Sequence, residues 1–402
     1  MRSVLTRIVR AQPPRKSSAR VSRFFASLTE SEIPSEQCAA RSAESQEMET
    51  LPLLAVCGAA RLKAYDYPAA FRSTHVDTFK VDKNGTIEVV QVPDPYVWLH
   101  DPDAEDTVRF VEAQNNVTDK FLEPQRADRV EIARQMRQYS NYEKVSKPFR
   151  RGDWMHYSYN PGLENHSRRM RIPVQALEDE NWPKHEQAQC VLNPNQWSDD
   201  GSTALAATWF TRDGTHVAYA VQEKGSDWRT IRIARVDDLV TASSGIPWNE
   251  DDSIDTLRHC KFTSVAWTKD KQGLFYVRYP ESGGTEGTET TQVQGQQVYY
   301  HRVGTVQSED VRVLDTSMLG DSRWMFHLQT CHQDRTLVVS ITDSCDPKNR
   351  LWLLDIEETV QDPSAPEIVK LVDDMQAGHE FVCSTDEFFF FKSNLEAPRN
   401  RT

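Results

Sequence analysis

A nucleophile elbow is missing from this chain. The motif GxSxG, which sets a serine on a strained strand-to-helix turn beside the backbone N–H groups of an oxyanion hole, occurs nowhere in the 402 residues. Its nearest imitation, Gly320-Asp321-Ser322-Arg323-Trp324, lacks the second glycine and follows no buried strand, so it reads as a turn. No Ser, Asp or His can be given a triad role, and the expected set of catalytic residues is empty. Metal-ligand spacings are also absent. The eleven histidines fall in no HExxH, and the seven cysteines (Cys38, Cys57, Cys190, Cys260, Cys331, Cys345 and Cys383) form no CxxC pair, so neither a metal nor a cofactor is expected. An odd cysteine count with no secretory signal ahead of it points to a reducing compartment, the cytoplasm. Long apolar runs are lacking too: Leu51 to Ala60 is far shorter than the roughly 20 residues a membrane-spanning helix needs. Positive charge is scarce. After the first 28 residues, 40 Lys and Arg face 60 Asp and Glu, which excludes a surface built for nucleic acid or anionic lipid.

What is present is a globular composition, 38% hydrophobic and 9% aromatic, enough for sizeable cores. The N-terminus stands apart. Arg2, Arg7, Arg10, Arg15, Lys16, Arg20 and Arg23 lie among Ser and apolar residues with no acidic residue, the composition of an organelle transit peptide, so a mitochondrial or plastid address is the alternative to the cytoplasm. Residues 29–50 are polar and fit disorder. From about 103 to 140 the texture is helical: Val108, Val111, Ala113 and Val117 form one periodic set, Val130, Ile132, Met136 and Tyr139 a second, and Pro124 separates them. Asp101-Pro102-Asp103 is the expected helix start.

From Tyr142 onward, short β-like runs alternate with turn residues, and they repeat. Thr211-Arg212-Asp213-Gly214 leads into Val217–Val221, Thr268-Lys269-Asp270 into Gly273–Val277, Gln333-Asp334-Arg335 into Leu337–Ser340, and Thr385-Asp386-Glu387 into Phe388–Phe391. Successive aspartates lie 57, 64 and 52 residues apart. A turn with an aspartate followed by a buried strand, recurring at about 50 residues, is the signature of four-stranded propeller blades, with a β-sandwich as the alternative.

Several segments resemble the prolyl oligopeptidase family of serine peptidases. They include Val92-Pro93-Asp94-Pro95-Tyr96-Val97-Trp98-Leu99-His100-Asp101-Pro102, Phe110-Val111-Glu112-Ala113-Gln114-Asn115, and Leu192-Asn193-Pro194-Asn195 with Ser198-Asp199-Asp200-Gly201. Gly225-Ser226-Asp227-Trp228, Gly287-Thr288-Glu289-Thr290 and Cys345-Asp346-Pro347-Lys348-Asn349-Arg350-Leu351-Trp352 are closer to the branch cleaving after proline than to the branch cleaving after basic residues. The resemblance covers roughly residues 65–398. It implies a mainly β fold: an incomplete propeller of the seven-bladed type preceded by an N-terminal helical segment, with the α/β-hydrolase domain absent. Residues 1–64 are then a disordered or targeting extension, 65–145 the helical segment and 146–402 the partial propeller. The implied activity of the full-length enzyme is hydrolysis of short peptides after proline, the propeller gating access; its partners are proline-containing peptides and its own C-terminal hydrolase domain. By the same resemblance, Phe262, Met325 and Cys345 are substrate-binding, an apolar trio suited to a side chain near the scissile bond. The family usually has an Arg three residues before that cysteine, and Thr342 stands here. Because Arg399-Asn400-Arg401-Thr402 ends in mid-blade with no capping feature, a longer reading frame is the expectation. A catalytically inactive propeller serving as a binding or regulatory module is the alternative.

Overall fold

A computed structural model describes residues 67–397 except 84, 179–185, 243–252, 282–293, 332 and 386. The 1–64 extension, the Gly287–Thr290 motif and the chain end at 399–402 lie outside the described residues.

Alternation of apolar and polar residues turns most of the chain into antiparallel meanders, each strand pairing with the next. Blade 1 opens at Lys144–Val145 and Phe149–Arg151, which share one edge of Trp154–Asn160, and continues through Arg168–Pro173 and Gln189–Leu192. Blade 2 comprises Thr203–Phe210, His216–Glu223, Trp228–Arg235 and Asp255–Lys261. Blade 3 comprises Val265–Trp267, Gly273–Arg278, Gln297–Arg302 and Val311–Asp315, and blade 4 Trp324–Cys331, Thr336–Asp343, Asn349–Asp355 and Ile368–Val372. The hairpin of His379–Ser384 with Phe389–Ser393 begins a fifth. Among the described residues no sheet closes on itself.

The repeated aspartate is a turn device, as its position between first and second strands suggests. Asp213 Oδ1 accepts from the Thr211 hydroxyl (2.8 Å) and the Thr215 N–H (3.1 Å); Asp270 Oδ1 accepts from the Thr268 hydroxyl (2.6 Å) and the Gln272 N–H (3.1 Å). Asp334 accepts from the Thr330 hydroxyl at 3.0 Å. The cores lie between blades rather than within them. Phe210, Val217, Tyr219 and Ala234 of blade 2 pack with Val191 and Leu192 of blade 1, whereas Ala218, Ile231 and Ile233 pack with Trp267, Leu274 and Tyr276 of blade 3. Phe275, Val277 and Val298 meet Phe326, Leu328, Val339 and Trp352 of blade 4. Thus each strand sends odd and even residues to different neighbours. Neighbouring blades also bond directly: the Trp267 indole donates to the Trp209 carbonyl (2.8 Å), and in the turns that follow the first strands the Gly152 N–H donates to the Arg212 carbonyl (3.1 Å). A Cβ on Gly152, whose φ is +56°, would lie 2.3 Å from the Asp213 carbonyl oxygen, so only glycine admits this approach.

Ahead of the blades stand a hairpin, Val76–Lys83 with Thr86–Pro93, and two helices, α1 (Glu105–Leu122) and α2 (Arg126–Ser140), parted by a tight turn containing Pro124. The expected aspartate cap is not used: Ala104 is the N-cap, and Asp101 instead accepts from the Asp103 N–H at 3.0 Å. The Trp98 indole donates to the Phe71 carbonyl (2.9 Å), and its ring meets Phe110 edge-on. Lys144 joins this segment to blade 1 by donating to the carbonyls of Ser140 and Gly162, both at 2.7 Å.

Candidate functional site

The first strands of blades 1 to 4 run side by side, so each end of the assembly gathers the same part of every blade. One end collects the starts of the first strands and the turns between second and third strands. Phe262 directly follows Lys261, the last residue of blade 2, three positions before the first strand of blade 3 begins at Val265; Met325 is the second residue of the first strand of blade 4. Met325 pairs in register with Thr342, and Cys345 follows two residues after Asp343, the last residue of that partner strand. All three anticipated residues therefore belong to one end, Met325 and Cys345 on blade 4 and Phe262 in the link between blades 2 and 3.

Their local settings differ. Phe262 is 47% exposed and adopts φ +49°, a conformation that costs a non-glycine residue roughly 1–2 kcal/mol. Its surroundings hold it there. The Lys261 carbonyl accepts from the fully buried Gln296 amide (3.3 Å), the Thr263 hydroxyl donates to the Val277 carbonyl (2.7 Å), and the Lys261 ammonium lies 5.3 Å over the Trp228 ring and 5.5 Å over the Phe262 ring. Gln296 also accepts from the Phe326 N–H (2.5 Å), which ties the backbone beside Phe262 to the strand that carries Met325. Met325 is half-buried and alternates with Phe326, which faces the blade 3 core. Cys345 is exposed, in a turn whose preceding residue, Ser344, has φ +52°.

Residues not singled out for chemistry complete this end. The Arg350 guanidinium lies 4.7 Å over the Trp324 ring, and Arg323 forms an ion pair with Asp321 (2.9 Å) while reaching to 3.8 Å from Asp343. Trp324 pairs in register with Asp343. The Gly225-Ser226-Asp227-Trp228 stretch is a tight turn with Gly225 at φ +72°; its Trp228 pairs with Lys261 and meets Tyr279 edge-on. Only the adjacency of Trp324 to Met325, and of Arg350 to the Cys345 turn, marked these residues in the sequence. The Gly320 imitation of an elbow is confirmed as a turn: Gly320 ends a short 3₁₀ helix at φ +76°. Chemically, this end offers apolar walls from Phe262, Met325 and Trp324 beside cations at Arg323 and Arg350. It suits binding of a chain with apolar side groups and peptide carbonyls.

A sequence profile described as prolyl oligopeptidase, N-terminal beta-propeller domain, matches residues 68–402. The chain is 30% identical over 345 residues to prolyl oligopeptidase A of Amanita bisporigera, a match covering 83% of this chain and 43% of the relative. It is 28% identical over 364 residues to the prolyl endopeptidase of Dictyostelium discoideum, covering 84% and 47%. Among solved structures, prolyl oligopeptidase B from Galerina marginata, bound to a 35mer hydrolysis and macrocyclization substrate, superposes with a TM-score of 0.67 at 28% identity, over 83% of this chain and 45% of that one. The chain thus spans less than half the length of these relatives.

Proposed function

Since the chain belongs to the prolyl oligopeptidase family, through its N-terminal β-propeller domain, we propose that it is the propeller-bearing part of a serine endopeptidase that hydrolyses short peptides after proline. The observation that carries this reading is the gathering of Phe262, Met325 and Cys345 at one end of the first strands, beside Trp324 and Arg350. In this reading that end faces a hydrolase domain, residues 65–145 pack against the same domain, and residues 146–402 restrict access to short substrates. Phe262 and Met325 then wall the pocket for an apolar side chain, and Cys345 closes it. Thr342 offers no cation for a substrate carbonyl, so that contact falls to another group. The compartment proposed is the cytoplasm, or an organelle reached through the basic N-terminus; among the described residues no helix is long and apolar enough to cross a membrane.

The test is a chimera in which this chain replaces the matched N-terminal part of the Amanita relative. The chain alone should show no turnover of a chromogenic proline-containing peptide, because nucleophile, base and oxyanion donors must be held together for rate. The chimera should cleave it. Phe262→Ala and Met325→Ala should each raise KM by about 5–30-fold with a smaller effect on kcat, in line with roughly 1–2 kcal/mol of lost apolar contact. A chimera that folds yet cleaves no such peptide, or variants with unchanged KM, would refute the assignment.

A further inference from the structure

The opposite end of the same first strands is not used by the proposed peptidase reading, and it is strongly basic. It opens into a cavity of about 1290 Å³ between blades 1 to 4. Six cations line that cavity, Arg150, Arg151, Arg169, Arg212, Lys269 and Lys271, against two carboxylates, Asp213 and Asp334. Asp213 is already taken by Lys271 at 2.8 Å, and Asp334 is held by the Thr330 hydroxyl. Such an excess is unexpected in a chain whose overall charge is −13.

Two of these cations are set rather than waving in solvent. Arg151 and Arg169 place their guanidinium carbons 5.2 and 5.9 Å from the centre of one ring, Phe149, and the Nε atoms of both are buried without a hydrogen-bond partner. Neither has a carboxylate within ion-pair distance among the described residues. Arg171, on the next strand position facing the same way, shows what a satisfied neighbour looks like: its Nε donates to Gln189 and its Nη2 to Asp237, both at 2.7 Å. Against the same Phe149 ring stacks His156, completely buried, with neither ring nitrogen hydrogen-bonded. Burial, and then the positive field of Arg171, Arg169 and Arg151, push its pKa down to about 3. Arg151 Nη1 donates to the Arg150 carbonyl (2.9 Å), and Asp334 is its one nearby opposite charge. Two partly buried guanidiniums sharing a ring, each with an unmet Nε–H and neither ion-paired, cost folding free energy that a ligand would return. The fork geometry of Arg favours an oxyanion gripped by paired N–H donors.

We propose that this mouth of the cavity is a binding site for a multiply charged oxyanion, held by Arg151 and Arg169 with Arg212 and Lys269 at the rim. It lies roughly 17 Å along the strand from Met325, by the rise of about 3.3 Å per residue over the five residues to Thr330. The proposal does not depend on the peptidase reading, since binding is measured without turnover. Phosphoryl and carboxylate groups share the required chemistry, and the ligand series separates them.

The experiment is isothermal titration calorimetry of the full chain with pyrophosphate, tripolyphosphate and citrate, at ionic strength fixed with sodium chloride. One saturable site per chain is expected. Tighter binding of the phosphates assigns a phosphoryl ligand, and equal or tighter binding of citrate assigns a carboxylate ligand. Arg151→Gln and Arg169→Gln should each weaken binding at least tenfold, while Arg129→Gln on α2 leaves it unchanged. Should either buried variant fail to fold, the exposed Arg212→Gln decides the matter with an expected loss of about threefold or more. Binding that is absent, that does not saturate, or that is equal in wild type and every folded variant of Arg151, Arg169 and Arg212 overturns the proposal.

Discussion

His301 shows how a single buried charge joins two blades. Its Nδ1 lies 2.7 Å from Asp310 Oδ1 and its Nε2 3.2 Å from Asp255 Oδ2, the latter at ion-pair distance but off hydrogen-bond geometry. Asp255 belongs to the outer strand of blade 2 and also accepts from the Gly304 N–H; Asp310 accepts from the Tyr276 hydroxyl as well. Burial opposes the charge on His301, but the two carboxylates outweigh it and raise the pKa from 6.5 to about 9. A raised pKa means the stabilisation is fully present below pH 6.5, the unfolded value, and is lost as pH rises through about 9. We expect His301→Gln to destabilise the fold by about 2 kcal/mol at pH 6 and by much less at pH 10, measured as urea midpoints at both values. Unchanged midpoints at pH 6 would contradict this. None of it was legible in the sequence. His301 carries no sequence signal for this role, because its partners lie 46 residues before and nine after it and meet only through sheet pairing. Phe262, Met325 and Cys345 could be named ahead of the structure, but solely by family likeness; their residue types alone describe ordinary core packing.

At the level of elements, the aspartate turns and the strands that follow them were readable because each is a local device, a side chain bonding N–H groups two residues on. The two helices were equally plain from period and Pro124, although their expected cap was not, since Asp and Ala compete for the cap on details of chain entry. The aromatic hairpin lies between these cases. Its run of four phenylalanines reads as uniformly apolar, yet strand alternation divides it: Phe389 and Phe391 pack on blade 4 with Leu351 and Leu353, while Phe388 (58% exposed) and Phe390 (40%) face outward with Val382. An exposed aromatic face on a two-stranded hairpin, whose strands carry their charges as a single Glu380–Lys392 pair (3.2 Å) at one end, is prone to pair with another chain. Phe388→Lys with Phe390→Glu should therefore shift sedimentation of the 402-residue chain toward monomer, with little loss of stability because neither side chain is in the core. A wild-type chain that sediments as a monomer at every concentration would remove the basis for this expectation.

Across the whole molecule, the succession of sheets could be foreseen from the recurring aspartates, whereas the basic mouth could not: Arg151, Arg169, Arg212 and Lys269 are scattered over 118 residues and converge only once the first strands stand together. The placement of the cores between sheets has a further implication, for the way the molecule comes apart. A sheet whose two faces are both shared with neighbours cannot open without exposing two interfaces, but a terminal one surrenders a single interface. Opening should behave as a row of coupled switches that yields from its ends inward. Hydrogen–deuterium exchange read by mass spectrometry should find the amides of Gly273–Arg278 among the slowest, those of His379–Ser384 and Phe389–Ser393 fastest among the strands of the blades, and Trp154–Asn160 between them. Were all five sheets to exchange together at one rate, the row would instead be a single cooperative block, and loss of any one interface would melt every other.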